Sequence, residues 1–123
     1  MATSKQVTYT VRVSGASDFS ALATKDFSHV LDFEEVIEKI VDVLTTDIDV
    51  EYDFTSLTGG SALAVLVRVN DNPIIAKINS AGGEILTLPA NGMILISGTG
   101  VEKLYLSGQP AGDARVYIQA FGS

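Results

Sequence analysis

Short runs that alternate apolar and polar residues constrain this sequence more than any other feature. Residues 48–54 alternate strictly, with apolar side chains at Ile48 and every second position and an acid at each position between. Period-two runs separated by Gly, Pro, Asn and Ser are typical of antiparallel sandwiches and barrels. The pattern predicts about eight strands, over residues 5–13, 48–54, 62–69, 74–79, 84–88, 93–97, 102–106 and 114–121.

One amphipathic helix is predicted near residues 33–44. Apolar residues recur there at i, i+3, i+4, i+7 and i+8, and Asp32 stands where a capping residue is expected. The opposite face carries Glu34, Glu38 and Asp42, which makes these acids candidates for an interface with a basic partner. A solvated helix face is the alternative interpretation, because most acidic helix faces simply contact water.

Composition excludes several classes of protein. The 123 residues contain no cysteine and one histidine, His29, so a zinc ribbon, thiol catalysis and a two-histidine metal site are excluded. A net charge of −7 argues against a nucleic-acid partner. The longest apolar runs are far short of the ~20 residues that span a bilayer, so no membrane partner is expected.

Hydropathy indicates assembly. The mean hydropathy is +0.30 and charged residues make up 19% of the chain, below the usual ~25%. With no spanning segment to account for this, a surface covered by other copies or by partners is favoured. We expect a single β-sandwich domain over residues 1–123, of jelly-roll type, with the helix packed against it.

The acidic row of the strand at 48–54 is the one candidate metal site. Asp49, Glu51 and Asp53 are spaced two apart, so a strand aligns them on one side, and carboxylates are ligands for Ca²⁺. The twelve-residue calcium loop does not fit, because Tyr52 and Thr58 stand where glycine and glutamate are required. A solvated strand face is therefore favoured, and we predict no metal and no cofactor.

No catalytic residue is predicted. His29 lies just before the predicted helix, and no Gly-x-Ser-x-Gly turn is present to supply a nucleophile for it. The glycine-rich segments 82–83 and 98–100 lack the lysine and the following helix of a phosphate loop. The sequence therefore favours a protein that is not an enzyme.

Residues 73–75, 83–89, 91–98, 101–106 and 113–122 carry a recurring rhythm. A Leu-Pro step, a glycine, an apolar strand and Ser-Gly precede two further strands and a closing glycine. This part of the chain resembles small β-sandwich virion proteins of tailed bacteriophages. The resemblance implies a non-enzymatic capsid decoration (cement) protein, or a neck or tail component. It also implies location in the virion, contact with other virion proteins and a homo-oligomeric state.

Two other functions remain open. A small carbohydrate- or ligand-binding β-sandwich module would use exposed aromatic side chains, with Tyr52, Tyr105 and Tyr117 as candidates. Aromatic residues make up only 7% of the chain and tryptophan is absent, which leaves few stacking platforms. A hydrolase that uses the acidic row is the third possibility, since paired carboxylates cleave glycosidic bonds.

Overall fold

The described part of the chain is built from ten β-strands, and every pair of neighbouring strands is antiparallel. The computed structural model describes residues 5–14, 24–57 and 59–122. The strands are β1 (Lys5–Ser14), β2 (Thr24–Phe33), β3 (Glu35–Val43), β4 (Val50–Asp53), β5 (Ala62–Asn70), β6 (Ile74–Ile78), β7 (Leu86–Leu88), β8 (Met93–Val101), β9 (Lys103–Ser107) and β10 (Ala114–Gly122). No helix among these residues is long and apolar enough to cross a membrane.

The chain divides into two compact units, Met1–Glu34 and Glu35–Ser123. The first contains a two-stranded ribbon in which β1 pairs with β2 over ten positions, from Lys5 opposite Phe33 to Ser14 opposite Thr24. The expectation of a single domain over residues 1–123 stays a prediction.

The second unit contains two four-stranded sheets. Their strand orders are β3-β10-β5-β8 and β4-β9-β6-β7. Except for β6 and β7, strands that follow one another along the chain lie in different sheets. Most connections therefore pass from one sheet to the other.

One apolar core receives side chains from both of these sheets. Val65, Val67 and Val69 of β5 are fully buried, as are Leu104 and Leu106 of β9. The residues between them on each strand are more exposed, as expected for a strand with one buried face. Each fully buried Val or Leu contributes roughly 1.5–3 kcal/mol relative to an exposed one, so these alternating residues hold the sheets together.

The predicted helix near residues 33–44 is wrong. The chain forms β3 there, and β3 pairs with β10 over nine positions. Ile37 and Val41 pack against the core, whereas Val36 and Ile40 are exposed on the other face. The apolar residues that seemed to form one helical stripe are therefore divided between two faces of a strand. β-branched side chains favour this outcome, because they are restricted in a helix and pack well on a pleated surface.

The eight predicted strands are confirmed as β1 and β4 to β10, with ends that move by a few residues. β2 was not predicted. The alternation at residues 48–54 holds only in part, because β4 begins at Val50 and Ile48 is 81% exposed before it. At the other end of this run, Phe54 is fully buried.

Candidate functional site

A groove of about 670 Å³ lies on the sheet β3-β10-β5-β8. Its lining comes from β3, β5 and β10 and combines apolar, aromatic and charged side chains. The lining residues are Glu38, Lys39, Ile40, Leu66, Arg68, Asn70, Tyr117, Ile118 and Gln119. We call the surface formed by Glu38, Ile40, Leu66, Arg68, Met93, Tyr117 and Gln119 the outer face.

Strand register arranges the outer face in two rows. In one row Glu38 lies opposite Gln119, which in turn lies opposite Leu66. The next row crosses the same three strands, with Ile40 opposite Tyr117 and Tyr117 opposite Arg68. The second row continues to Met93 on the edge strand β8. Alternation along β5 and β10 points these residues away from the core, since their neighbours in sequence on those two strands are buried.

Large apolar side chains are exposed on this face. Ile40 is 67% exposed, Met93 is 57% exposed and Tyr117 is 36% exposed. A single exposed apolar residue is ordinary in a globular protein. Here Ile40 and Tyr117 adjoin and Met93 ends the same row, and apolar side chains gathered on one face are typical of a surface that another molecule covers.

Polar contacts within this surface are few and exposed. The Asn70 side-chain amide donates to the Tyr117 hydroxyl at 3.4 Å. At one end of the sheet, Arg115 Nε lies 3.3 Å from Asp42 Oδ1. Exposed ion pairs of this kind contribute about 0–1 kcal/mol, so the groove is not held rigid by a strong polar network.

The candidate interface acids do not share one helix face. Glu38 lies on the outer face, and Asp42 follows on the same side of β3, where it pairs with Arg115. Glu34 lies in the bend between β2 and β3. A strand therefore brings Glu38 and Asp42 together with Ile40, an apolar neighbour that a helix would have turned toward the core.

The acidic row meets cationic and hydroxyl side chains from neighbouring strands. Lys77 Nζ lies 3.1 Å from Asp49 Oδ1 and donates to the Ala81 carbonyl oxygen at 3.0 Å. Ser107 Oγ donates to Asp49 Oδ1 at 3.2 Å and accepts from the Asp49 amide at 2.8 Å. These contacts hold Asp49 at a φ of 47°, a left-handed conformation that aspartate tolerates better than most residues.

Glu51 is bound by two residues of β9. Lys103 Nζ lies 3.3 Å from Glu51 Oε1, and the Tyr105 hydroxyl donates to the same oxygen at 3.0 Å. The hydrogen bond to Glu51 is the main cause that raises the pKa of both Lys103 and Tyr105. The carboxylate therefore favours the protonated form of each neighbour.

Asp53 closes a local turn. Its Oδ1 accepts from the Thr55 amide at 2.7 Å and from the Thr55 hydroxyl at 2.6 Å. These two bonds lower the pKa of Asp53, because they stabilise the ionised carboxylate. Among the described residues, no group of three or more His, Asp or Glu side chains is placed to hold a metal ion.

The three candidate tyrosines occupy different environments. Tyr117 lies in the groove, Tyr105 is engaged by Glu51, and Tyr52 is half-buried with Lys39 Nζ 5.9 Å from its ring centre. Burial, followed by the charge of Asp47, raises the pKa of Tyr52. Of the tyrosines whose side chains the structure describes, Tyr117 is the one that lines the groove. The side chain of His29 lies outside the described residues.

Sequence reasoning missed Ile40, Arg68, Met93 and Gln119 as surface residues of one site. No signal for Ile40 was present, because apolar residues in 35–43 occur in adjacent pairs, which follow the helical period and not the alternation of a strand. No local signal links Arg68 or Met93 to it. They reach the same face only through the pairing of β5 with β10 and β8.

No family model and no curated protein matches the chain. Solved structures do resemble it. The CoII form of HppE in complex with Tris buffer is similar with a TM-score of 0.54 and 18% identity, over 72% of this chain and 46% of that one. Hydroxypropylphosphonic acid epoxidase from S. wedmorenis in complex with fosfomycin gives a TM-score of 0.51 and 18% identity, over 75% and 50%. FeII HppE is similar with a TM-score of 0.52 and 15% identity, over 90% of this chain and 55% of that one.

This chain spans about half the length of these solved structures. At such low identity the likeness concerns the fold alone. It indicates that the antiparallel sheets of this chain form a known arrangement, and it carries no activity, metal or substrate over to this protein.

Proposed function

We propose that this chain is a structural protein of a bacteriophage virion, either a capsid decoration (cement) protein or a head–tail or tail component. In this role it stabilises the particle through protein–protein contacts and is not an enzyme. Its partners are other virion proteins and further copies of itself, with no nucleic acid and no membrane among them. The observation that carries the proposal is the set of large apolar side chains exposed on the outer face.

Physical chemistry connects that observation to assembly. Ile40 and Met93 are both more than half exposed and flank the row that contains Tyr117 and Arg68. Interfaces are enriched in tyrosine, methionine and arginine and exclude water around them. A mean hydropathy of +0.30 fits a chain whose surface is partly covered in its working state.

We further propose that the second unit is a β-sandwich of jelly-roll type. Its eight strands form two antiparallel sheets that share one core, and the chain passes between the sheets at most connections. Jelly rolls have eight strands in two sheets and occur in viral capsid proteins. The likeness to HppE structures supports a paired-sheet fold, and the choice of a virion role rests on the sequence resemblance and the exposed face.

Purified particles test the virion role. Phage particles from a lysate of the host that encodes this chain are separated on a density gradient and analysed by mass spectrometry. We expect the chain to sediment with the major capsid or tail proteins in a fixed ratio to them. Particles that are infectious, complete and free of the chain would overturn the proposal.

A second candidate function rests on the groove. Tyr117 presents part of its ring beside Gln119 and Asn70, whose amides can bind the hydroxyl groups of a sugar. This arrangement favours a small carbohydrate- or ligand-binding module. A glycan array probed with the wild-type chain and with Tyr117→Ala tests it. Binding that the substitution abolishes supports this function, and absence of binding removes it.

A further inference from the structure

Two charged side chains of the outer face lack a partner of opposite charge. In the part of the chain that the structure describes, the ion pairs are Arg115–Asp42, Lys77–Asp49 and Lys103–Glu51. None of them includes Glu38 or Arg68. Both side chains are exposed. The outer face therefore carries one uncompensated acid and one uncompensated base.

Register explains why these two residues do not pair with each other. Glu38 lies beside Gln119 on one side of β10, and Arg68 lies beside Tyr117 on the other side, one row further along. Neighbouring strands are about 4.8 Å apart and alternate residues about 6.8 Å, which places the two Cα atoms about 12 Å apart. The acid and the base thus lie diagonally across the central strand, equally far from a point between Gln119 and Tyr117.

This diagonal is self-complementary. In a two-fold interface the same surface patch faces itself, so each residue meets the residue that is exchanged with it by the axis. Consider a two-fold axis that lies parallel to the face, passes between Gln119 and Tyr117 and is perpendicular to the line from Glu38 to Arg68. This axis places Glu38 of one copy opposite Arg68 of the other. Two such faces brought together would form two ion pairs, with Ile40 and Leu66 among the apolar groups between them.

We propose that the outer face is the contact between two copies of this chain, with Glu38 of each copy against Arg68 of the other. The inference rests on the proposed assembly role and names the surface through which copies associate. A second copy fits better than a strongly charged partner, because the uncompensated charges on this face sum to zero. The exposed apolar groups beside them supply apolar surface for the contact to bury.

Charge reversal gives a sharp test. Glu38→Arg changes the net charge from −7 to −5, and Arg68→Glu changes it from −7 to −9. If association depended only on overall repulsion, the first change would strengthen it and the second would weaken it. Two specific ion pairs predict that both changes weaken it and that the double variant, again at −7, restores it.

Sedimentation velocity over about 1 μM to 1 mM, a range that covers weak and moderate contacts, measures the dissociation constant of the dimer. We expect each single reversal to weaken association at least about tenfold, because like charges that face each other at an interface are strongly unfavourable. The double variant should return to within about threefold of the wild type, since opposite charges again face each other. The matched control is Glu84→Arg, because Glu84 is exposed, lies outside the outer face and gives the same net charge when it is replaced. This variant should associate at least as well as the wild type.

Three results would overturn the proposal. The first is a wild-type chain that is monomeric over the whole concentration range. The second is a Glu38→Arg variant that associates as tightly as Glu84→Arg does. The third is a double variant that associates as weakly as the single variants. Far-UV circular dichroism and thermal unfolding of each variant confirm that it is folded, which is expected at exposed positions.

The particle experiment is independent of this test. Rescue by the double variant together with particles that lack the chain would support the contact and reject the virion role. Incorporation into particles together with a wild type that does not associate would support the virion role and reject the contact.

Discussion

The side chain of Asn79 binds the backbone at Glu102. Its Oδ1 accepts from the Glu102 amide at 2.7 Å, and its Nδ2 donates to the Gly100 carbonyl oxygen at 3.1 Å. Asn79 directly follows β6 and has a φ of 63°, a left-handed conformation that asparagine adopts more readily than most residues. One side chain therefore satisfies the backbone where the chain passes from β8 to β9.

Asn79→Ala should lower the free energy of unfolding by about 1–3 kcal/mol, because it leaves these backbone groups without their partner and strains the left-handed position. Urea denaturation measures the change. Asn79→Gly keeps the backbone conformation without strain, so it isolates the loss of the side-chain bonds and should cost less than Asn79→Ala. Equal stability of Asn79→Ala and the wild type would contradict the role of this contact.

Gly108→Ala should be strongly destabilising. A Cβ atom at Gly108 would clash with the carbonyl oxygen of Leu44, which is backbone and cannot move aside like a flexible side chain. Gly108 also donates its amide to the Asp47 carbonyl oxygen at 3.0 Å, so relief of the clash would break that bond. We expect a loss of about 2 kcal/mol or more in urea denaturation.

The matched control for that substitution is Gly82→Ala. A Cβ there meets only Ser80 Oγ at an ordinary 3.7 Å, and the change should alter stability by less than about 0.5 kcal/mol. Similar losses at both glycines would show that the close approach of Gly108 to Leu44 is not the cause.

Ile37 and Ile40 distinguish a strand from a helix at residues 35–43. A helix would turn both toward one face, whereas β3 directs Ile37 to the core and leaves Ile40 exposed. We expect Ile37→Ser to cost about 1–3 kcal/mol and Ile40→Ser less than about 1 kcal/mol. Chemical denaturation at low concentration, where copies are separated, measures both changes, and equal losses would contradict the strand.

The carboxyl group of Asp53 should titrate below its ordinary pKa of 3.8, since the two bonds from Thr55 stabilise its ionised form. Because the folded-state pKa is lowered, the stabilisation is present above about pH 4 and is lost as the pH falls through the folded-state pKa. NMR titration of the Asp53 carboxyl measures the value. Thr55→Val removes the hydroxyl donor and should raise the pKa toward 3.8, whereas Thr46→Val, at an exposed position outside this turn, should not.

The acids of residues 49–53 were predicted to lie on a solvated strand face, and Glu51 and Asp53 are indeed exposed. Local alternation was sufficient for this, because in a strand the period of two places every second residue on the same side. The partners of these acids were not predictable. Lys77 and Lys103 come from β6 and β9, and only sheet pairing brings them to Asp49 and Glu51.

By itself, the sequence determined the eight strands whose alternation is clear and whose ends carry turn residues, since period and turn chemistry are local properties of the chain. The strand β3 was decided by tertiary structure. Residues 35–43 follow the helical period in sequence, and pairing with β10 together with burial of Ile37 and Val41 overrides it and produces the strand. The outer face was decided in the same way, because Ile40 and Arg68 become part of one surface only when β3 and β5 pair with the two edges of β10.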